Sequence, residues 1–276
     1  MLKTVVVPLD GSELAERALA VARPLAERVG AEIVVLGCAW KTDLAETRMY
    51  VDGFATSTGG VTITSEVIED WPPPDAILRA AAARPDSLVC MTTHGRGRLR
   101  WALVGSVAEH VLREGPAPIL MVGPRGEPHW DEPARRIIVA VDGSDVGPLS
   151  VRAACDWARL LDLELHLTYV AHPLDVASAS SPDDVLDPLA EQARDAGVPV
   201  HVEVLRSSYA AGTLVDVAEA PPATLMVMAA HGRKGVVRAT LGSVTMGVLN
   251  VAPCPVLVVP PHAGSAGSSV AAAGDA

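Results

Sequence analysis

The stretch MTTHGRGRLRWALVGS at 91–106 returns as MAAHGRKGVVRATLGS at 228–243, with Gly95 to Gly105 and Gly232 to Gly242 spaced alike and the copies 137 residues apart. The repeat runs well beyond that stretch. KTVVVPLDGSE (3–13) matches RIIVAVDGSD (136–145), and AEIVVLGCAW (31–40) matches LELHLTYVAH (163–172). VTITSEVIE (61–69) matches VPVHVEVLR (198–206), and APILMVGP (117–124) matches CPVLVVPP (254–261). Matches in one order at a nearly constant offset mean one domain written twice. A chain of 276 residues has room for two domains, each burying its own core.

Each copy alternates short Val/Ile/Leu runs with longer Ala/Leu/Arg/Glu segments. Unbroken apolar runs of about five to seven residues predict strands covered on both faces. Residues 12–30 predict the first helix, closed by Gly30, with Leu14, Ala18, Val21, Leu25 and Val29 on one stripe and Pro24 kinking or interrupting it. Residues 144–162 are its counterpart. Strand–helix–strand alternation predicts right-handed crossovers and a parallel sheet. The fold class is therefore α/β: two tandem Rossmann-like domains, each an open five-stranded parallel sheet with helices on both faces. The domains are placed at 1–124 and 135–262, with a linker at 125–134 and a mobile Ala/Gly/Ser-rich tail at 263–276. The halves are expected to keep separate sheets and to dock through the proline-flanked strands at 117–122 and 254–259, which otherwise leave apolar edges exposed.

A net charge of −11 argues against a general nucleic-acid or anionic-membrane binder, so neither partner is expected, although a local basic pocket is compatible with it. Cys38, Cys90, Cys155 and Cys254 lie far apart without a CxxC pair and read as free thiols in a reducing compartment. The first apolar run is too short for a signal peptide, and no segment reaches the roughly 18–20 apolar residues of a membrane span. A cytoplasmic protein is expected. The eight histidines show no ligand spacing with Cys or carboxylates, so no metal site is expected.

Open parallel sheets bind ligands at the carboxyl ends of their strands, where the repeated motif falls in both copies. His94-Gly95-Arg96 follows the fourth strand and Gly105-Ser106 opens the next helix. Glycine permits φ > 0 and close backbone approach, and a helix start adds free N–H donors. Together these describe a phosphate cradle that is not a P-loop, since no GxxxxGK[ST] occurs. Arg96, Arg98 and Arg100 cluster beside the first cradle and Arg233, Lys234 and Arg238 beside the second; solvated loop charge is the alternative. Ser106-Val-Ala-Glu109 also fits a capping box that needs no ligand, whereas Met246 stands at the acid's place in the second copy. Asp10 and Asp142, each before Gly-Ser, fit either turn chemistry or a carboxylate facing a ligand hydroxyl or amino group. His94 and His231 fit either ligand contact or a bond within their loops. No general base stands out for an attacking water, so no catalytic residue is assigned.

With these residues in view, the chain resembles the universal stress protein family in its tandem two-domain form over residues 3–261. The features carrying the likeness are VPLDGSE and VAVDGSD, the HGR turns, GSVAEHVL and GSVTMGVL, and the closing strands after Pro-Ala-Pro and Pro-Cys-Pro. The family motif G-x2-G-x9-G-[ST] reads Thr92-x2-Gly95-x9-Gly105-Ser106 and Ala229-x2-Gly232-x9-Gly242-Ser243, so the first glycine is replaced in both halves. A Cβ at those positions hinders any conformation that needs φ > 0. The resemblance implies an adenine nucleotide alpha hydrolase-like fold and ATP, with Mg²⁺ bridging its phosphates, in each half. It implies that Asp10 and Asp142, with their neighbours Pro8, Leu9, Ala140 and Val141, face adenine and ribose. Cys38 and Val170 would line the adenine pocket. Thr92, His94, Gly95 and Arg96, with Ala229, His231, Gly232 and Arg233, would hold ribose and phosphate. Gly105, Ser106 and Val107, with Gly242, Ser243 and Val244, would hold the phosphates. The resemblance implies pairing of the two domains within the chain and leaves room for a homodimer.

The function expected is an ATP-binding stress-response regulatory protein with at most slow ATP hydrolysis, the alternative being a nucleotide-independent interaction module. An adenylating ligase is disfavoured because neither a HIGH-like nor an SGGxDS-like loop is present. The second site is expected to bind at least as well as the first, because Ala229 is smaller than Thr92 and Ser243 lacks a capping-box partner.

Overall fold

Aliphatic runs with no polar alternation can pair only where both faces are covered, and here they become the inner strands of an α/β/α sandwich. The computed structural model describes residues 2–40, 42–56, 60–69, 71–95, 104–127, 136–174, 181–219, 223–231 and 241–260. The first half runs β1 (Thr4–Pro8), α1 (Glu13–Val29), β2 (Glu32–Ala39), α2 (Leu44–Asp52), β3 (Ile63–Glu69), α3 (Pro73–Ala82), β4 (Ser87–Thr92), α4 (Ser106–Glu114), β5 (Ile119–Val122). The second repeats it: β6 (Arg136–Val141), α5 (Gly147–Leu161), β7 (Glu164–Ala171), α6 (Pro182–Asp195), β8 (Val200–Arg206), α7 (Ala210–Glu219), β9 (Leu225–Ala229), α8 (Ser243–Val251), β10 (Val256–Val259). One face of the sheet packs on α1, α2, α5 and α6 through residues such as Leu25, Val51, Leu161 and Leu186. The other packs on α3, α4, α7 and α8 through Ile77, Leu112, Leu214 and Leu249.

The expectation of separate sheets needs correction. The strands form one ten-stranded sheet, ordered β3-β2-β1-β4-β5-β10-β9-β6-β7-β8. Each half contributes five parallel strands, and the halves meet where β5 and β10 pair antiparallel. Docking does run through these two strands, and backbone bonding across them is what fuses the sheets. Leu120 sits opposite Leu257, its own counterpart, flanked by Met121 opposite Val256 and Ile119 opposite Val258. That register is self-complementary, the signature of a two-fold contact. Around it, Glu127 N–H donates to the Pro253 carbonyl at 3.0 Å. Arg125 pairs with Glu219 at 2.7 Å. Arg28 donates to the Leu161 carbonyl at 3.1 Å. Gly123 comes so near α8 that a Cβ on it would lie 2.5 Å from the Leu249 carbonyl oxygen.

Two details of α1 bear on the expectations: Pro24 does not interrupt the helix, and Leu14 is off the buried stripe. Pro24 lies inside the helix without ending it. The missing N–H costs a single bond, while Val21, Ala22, Leu25 and Ala26 on either side are buried against the sheet and hold the backbone. Leu14 is 37% exposed and lies off the buried stripe, which passes instead through Ala15, Ala18, Leu19, Val21, Ala22, Leu25 and Ala26. The start and stop signals hold: the Ser12 side chain caps the helix by accepting from Ala15 N–H, and Gly30 closes it with φ 70°.

Candidate functional site

The order 3-2-1-4-5 places β1 beside β4, and chains leaving those two strands diverge to opposite faces, opening a crevice at their carboxyl ends. In the second half the equivalent crevice lies between β6 and β9.

From β1, Pro8 and Leu9 lead into Asp10. Its Oδ1 accepts from the Ser12 amide at 3.0 Å and the Ser12 hydroxyl at 2.6 Å, and Gly11 takes φ 82°. Turn chemistry is therefore present. The other carboxylate oxygen points across the crevice to Gly95, into the space a Cβ there would fill. In the second half Ala140 and Val141 lead into Asp142, whose Oδ1 accepts from the Ser144 amide at 3.0 Å, with Gly143 at φ 77°.

From β4 the chain passes Thr92 and Thr93 to His94 and Gly95. Thr92 is the last residue of its strand, as Ala229 is of β9. Neither has positive φ, Asp162 being the sole non-glycine residue that does among those described. The missing motif glycine is thus not needed for backbone freedom at either place, which removes the expected hindrance. Thr92 instead donates its hydroxyl to the His94 carbonyl at 2.7 Å.

The chain then returns to the strand it left. Gly105 N–H donates to the Thr93 carbonyl at 2.7 Å, and Gly242 N–H donates to the Ala230 carbonyl at 2.9 Å. Both glycines are helix N-caps with nearly the same backbone, φ −59° ψ 148° and φ −61° ψ 145°. A Cβ on Gly105 would sit 3.3 Å from the Thr93 oxygen, so close approach explains this glycine. The capping-box reading is corrected here. Ser106 is the first helical residue, no side chain among the described residues caps α4 or α8, and the alternative Ser106–Glu109 box does not form. The grounds for a stronger second site therefore disappear, since Thr92 adopts ordinary strand backbone and Ser106 is not held by Glu109.

A helix start without a side-chain cap presents its first amides and partial positive charge to whatever lies before it. Ser106, Val107 and their counterparts Ser243 and Val244 stand at that point. Nearby, Nε2 of His94 and Nε2 of His231 are both buried without a hydrogen-bond partner among the described residues. His94 uses Nδ1 on the Thr93 hydroxyl, at 2.9 Å. An unpaired buried nitrogen costs about 1–3 kcal/mol, and here the cost recurs in both copies at the same place. Cys38 and Val170 lie near the carboxyl ends of β2 and β7; burial pushes the Cys38 thiol up to about 11. Arg96, Gly232 and Arg233 lie outside the described residues.

Sequence reasoning missed Thr93 and Ala230, whose carbonyls anchor the returning loop. Their place just after an apolar run and twelve positions before the Gly of Gly-Ser was the available signal.

Comparison with known proteins identifies the family. The sequence model described as the universal stress protein family matches residues 39–123 and 133–260. A universal stress protein of Mycobacterium bovis is 29% identical over 210 residues, spanning 72% of this chain and 69% of its own. One from Methanocaldococcus jannaschii is 32% identical over 139 residues, spanning 45% of this chain and 81% of its own. The crystal structure of a universal stress protein from Archaeoglobus fulgidus matches with TM-score 0.69 and 22% identity over 94% of this chain and 97% of its own, a likeness of fold.

Proposed function

The chain belongs to the universal stress protein family, and from that premise we propose that each half binds ATP, making the protein a cytoplasmic, nucleotide-responsive regulator of stress response with two sites. The observation carrying this reading is the twice-built loop closure. Gly105 on Thr93 and Gly242 on Ala230 hold an uncapped helix start over a crevice in both halves. Anions suit such a start, because its free amides donate and its dipole is positive. The residues present fit a nucleotide in other respects too. The buried Nε2 atoms of His94 and His231 lack partners that a ribose or phosphate oxygen would supply. Asp10 and Asp142 lie one strand away, where a carboxylate accepts from ribose hydroxyls or the adenine amino group. On this reading Cys38 and Val170, near the carboxyl ends of β2 and β7, would line the base. Mg²⁺ would offset charge between the phosphates, which themselves rest on the Gly105–Val107 and Gly242–Val244 amides. Four free thiols agree with a reducing compartment.

Calorimetry of the full chain with MgATP tests the proposal. The expected affinity is micromolar, about −8 kcal/mol, with two sites per chain, falling to one in Gly105→Glu or Gly242→Glu and none in the double variant. No saturation by millimolar ATP in the unmutated protein would overturn it and favour a nucleotide-independent interaction module.

A further inference from the structure

β7 and β8 are the outermost strands of the second half. Their parallel register sets His166 directly opposite His201. Alternation along β7 puts Glu164 on the same face, one pleat before His166. The polar ends of these side chains converge. Nε2 of His166 is 2.9 Å from Oε1 of Glu164, and Nε2 of His201 is 3.5 Å from Oε2. The imidazole centroids are 4.9 Å apart, and the three donor atoms all lie within 4.8 Å of one another.

The first half supplies an internal comparison. There the same register places Glu32 at the carboxylate position, where it accepts from the Thr4 hydroxyl at 3.1 Å. The histidine pair, however, is replaced by Val34 opposite Thr64. Val and Thr are what an outer strand pair favours on propensity alone. Two imidazoles facing one carboxylate replace them in the second copy only.

We propose that Glu164, His166 and His201 form a binding site for a divalent transition-metal ion, with zinc(II) the ion that suits it best. Two neutral imidazoles and a carboxylate are the donor set of open zinc sites, and water completes the coordination. Bonds of about 2.0–2.1 Å at tetrahedral angles separate ligand atoms by about 3.3 Å. Modest side-chain rotation brings the three atoms to that spacing. His201 is 63% exposed, so the ion enters directly from solvent. Glu203, one pleat beyond His201 on the same face of β8, adds negative charge. Arg136, opposite Glu164 on β6, donates to the Val217 carbonyl at 2.6 Å. The cluster lies at the amino end of β7. Val170 lies four positions beyond His166, about 13 Å of strand at about 3.3 Å per residue. The metal site is thus physically apart from the nucleotide crevice and does not depend on it. Bound zinc would tie the edge strand β8 to β7.

The test uses the full chain, stripped with a chelator and dialysed against zinc(II) near neutral pH, with bound metal measured by elemental analysis. One zinc per chain is expected. The His166→Val/His201→Thr double variant installs the first half's own residues, and it should bind at least about tenfold more weakly. Glu164→Gln serves as a second variant should the double variant fail to fold, and it too should weaken binding. Cobalt(II) in place of zinc should give the visible absorption of a four-coordinate ion in the unmutated protein only. Equal uptake by the unmutated and double-variant proteins would overturn the proposal. So would the lack of saturable uptake below about 100 µM zinc.

Discussion

The carboxylate of Asp10 occupies the space that a β-carbon on Gly95 would need, with its Cγ 3.1 Å from that point. The turn after β1 and the loop after β4 are therefore built against each other, and the glycine is a requirement of space. Gly95→Ala should force Asp10 out of its bonds to Ser12. We expect a loss of about 1–3 kcal/mol in stability and at least about tenfold weaker ATP binding at the first site. Thermal unfolding and calorimetry in a Gly242→Glu background, where only the first site contributes, check both. Unchanged melting would refute the packing argument.

Thr92→Gly restores the family motif yet should not improve binding. Thr92 already has ordinary strand backbone, and the change removes its bond to the His94 carbonyl. Stability should fall by about 1–2 kcal/mol, combining the lost bond with added backbone freedom. A gain in ATP affinity above about fivefold, close to 1 kcal/mol, would show that the side chain blocks the crevice.

The two nucleotide sites should be near equals. Gly105 and Gly242 share backbone geometry and the same carbonyl anchor. Separate titrations of Gly105→Glu and Gly242→Glu should give affinities within about fivefold, the scale of one capping difference. A larger gap would point to sequence differences between 96–103 and 232–240.

Gly123→Val addresses the seam between halves. Its Cβ would fall 2.5 Å from the Leu249 carbonyl oxygen, a backbone atom that cannot swing aside. Denaturant unfolding should show a loss of about 1–3 kcal/mol. No loss would mean that β5 and α8 are not held so closely.

Burial pushes the thiols of Cys90 and Cys254 up to about 12, above their ordinary 9.0. The thiolate is the reactive form, so native protein at mildly alkaline pH should resist alkylation at both, and denaturant should expose all four cysteines. The same shift sets a stability trend. Groups raised on folding contribute fully below pH 9 and lose that contribution as pH rises toward 12, because the unfolded chain ionises first. Cys90→Ala should flatten the decline, as read by unfolding from pH 8 to pH 12; an unchanged slope would refute it.

Much of the fold was legible because burial on both faces writes itself as unbroken aliphatic runs, and β1, β4, β6 and β9 are such runs. The closing strands betrayed their pairing through apolar edges. What was hidden depended on one-residue offsets or on register. Ser106 reads as a cap until Gly105 takes the extended conformation ahead of it. Leu14 fits a helical stripe until the helix rotates to bury Ala15. His166 and His201 share no local spacing, and only the β7–β8 register makes them neighbours.

The seam also has a consequence in time. β5 is synthesised long before β10, its partner across the centre of the sheet. At about 5–20 residues per second, the chain from Val122 to Val256 takes roughly 7–27 s to appear. Through that interval a nascent first half carries an unpaired edge of Ile119, Leu120 and Met121. Because Leu120 normally meets its own counterpart, the best available substitute is the same strand on a neighbouring nascent chain. Ribosomes closely spaced on one messenger therefore set the two correct halves of a single molecule in competition with the matching halves of two.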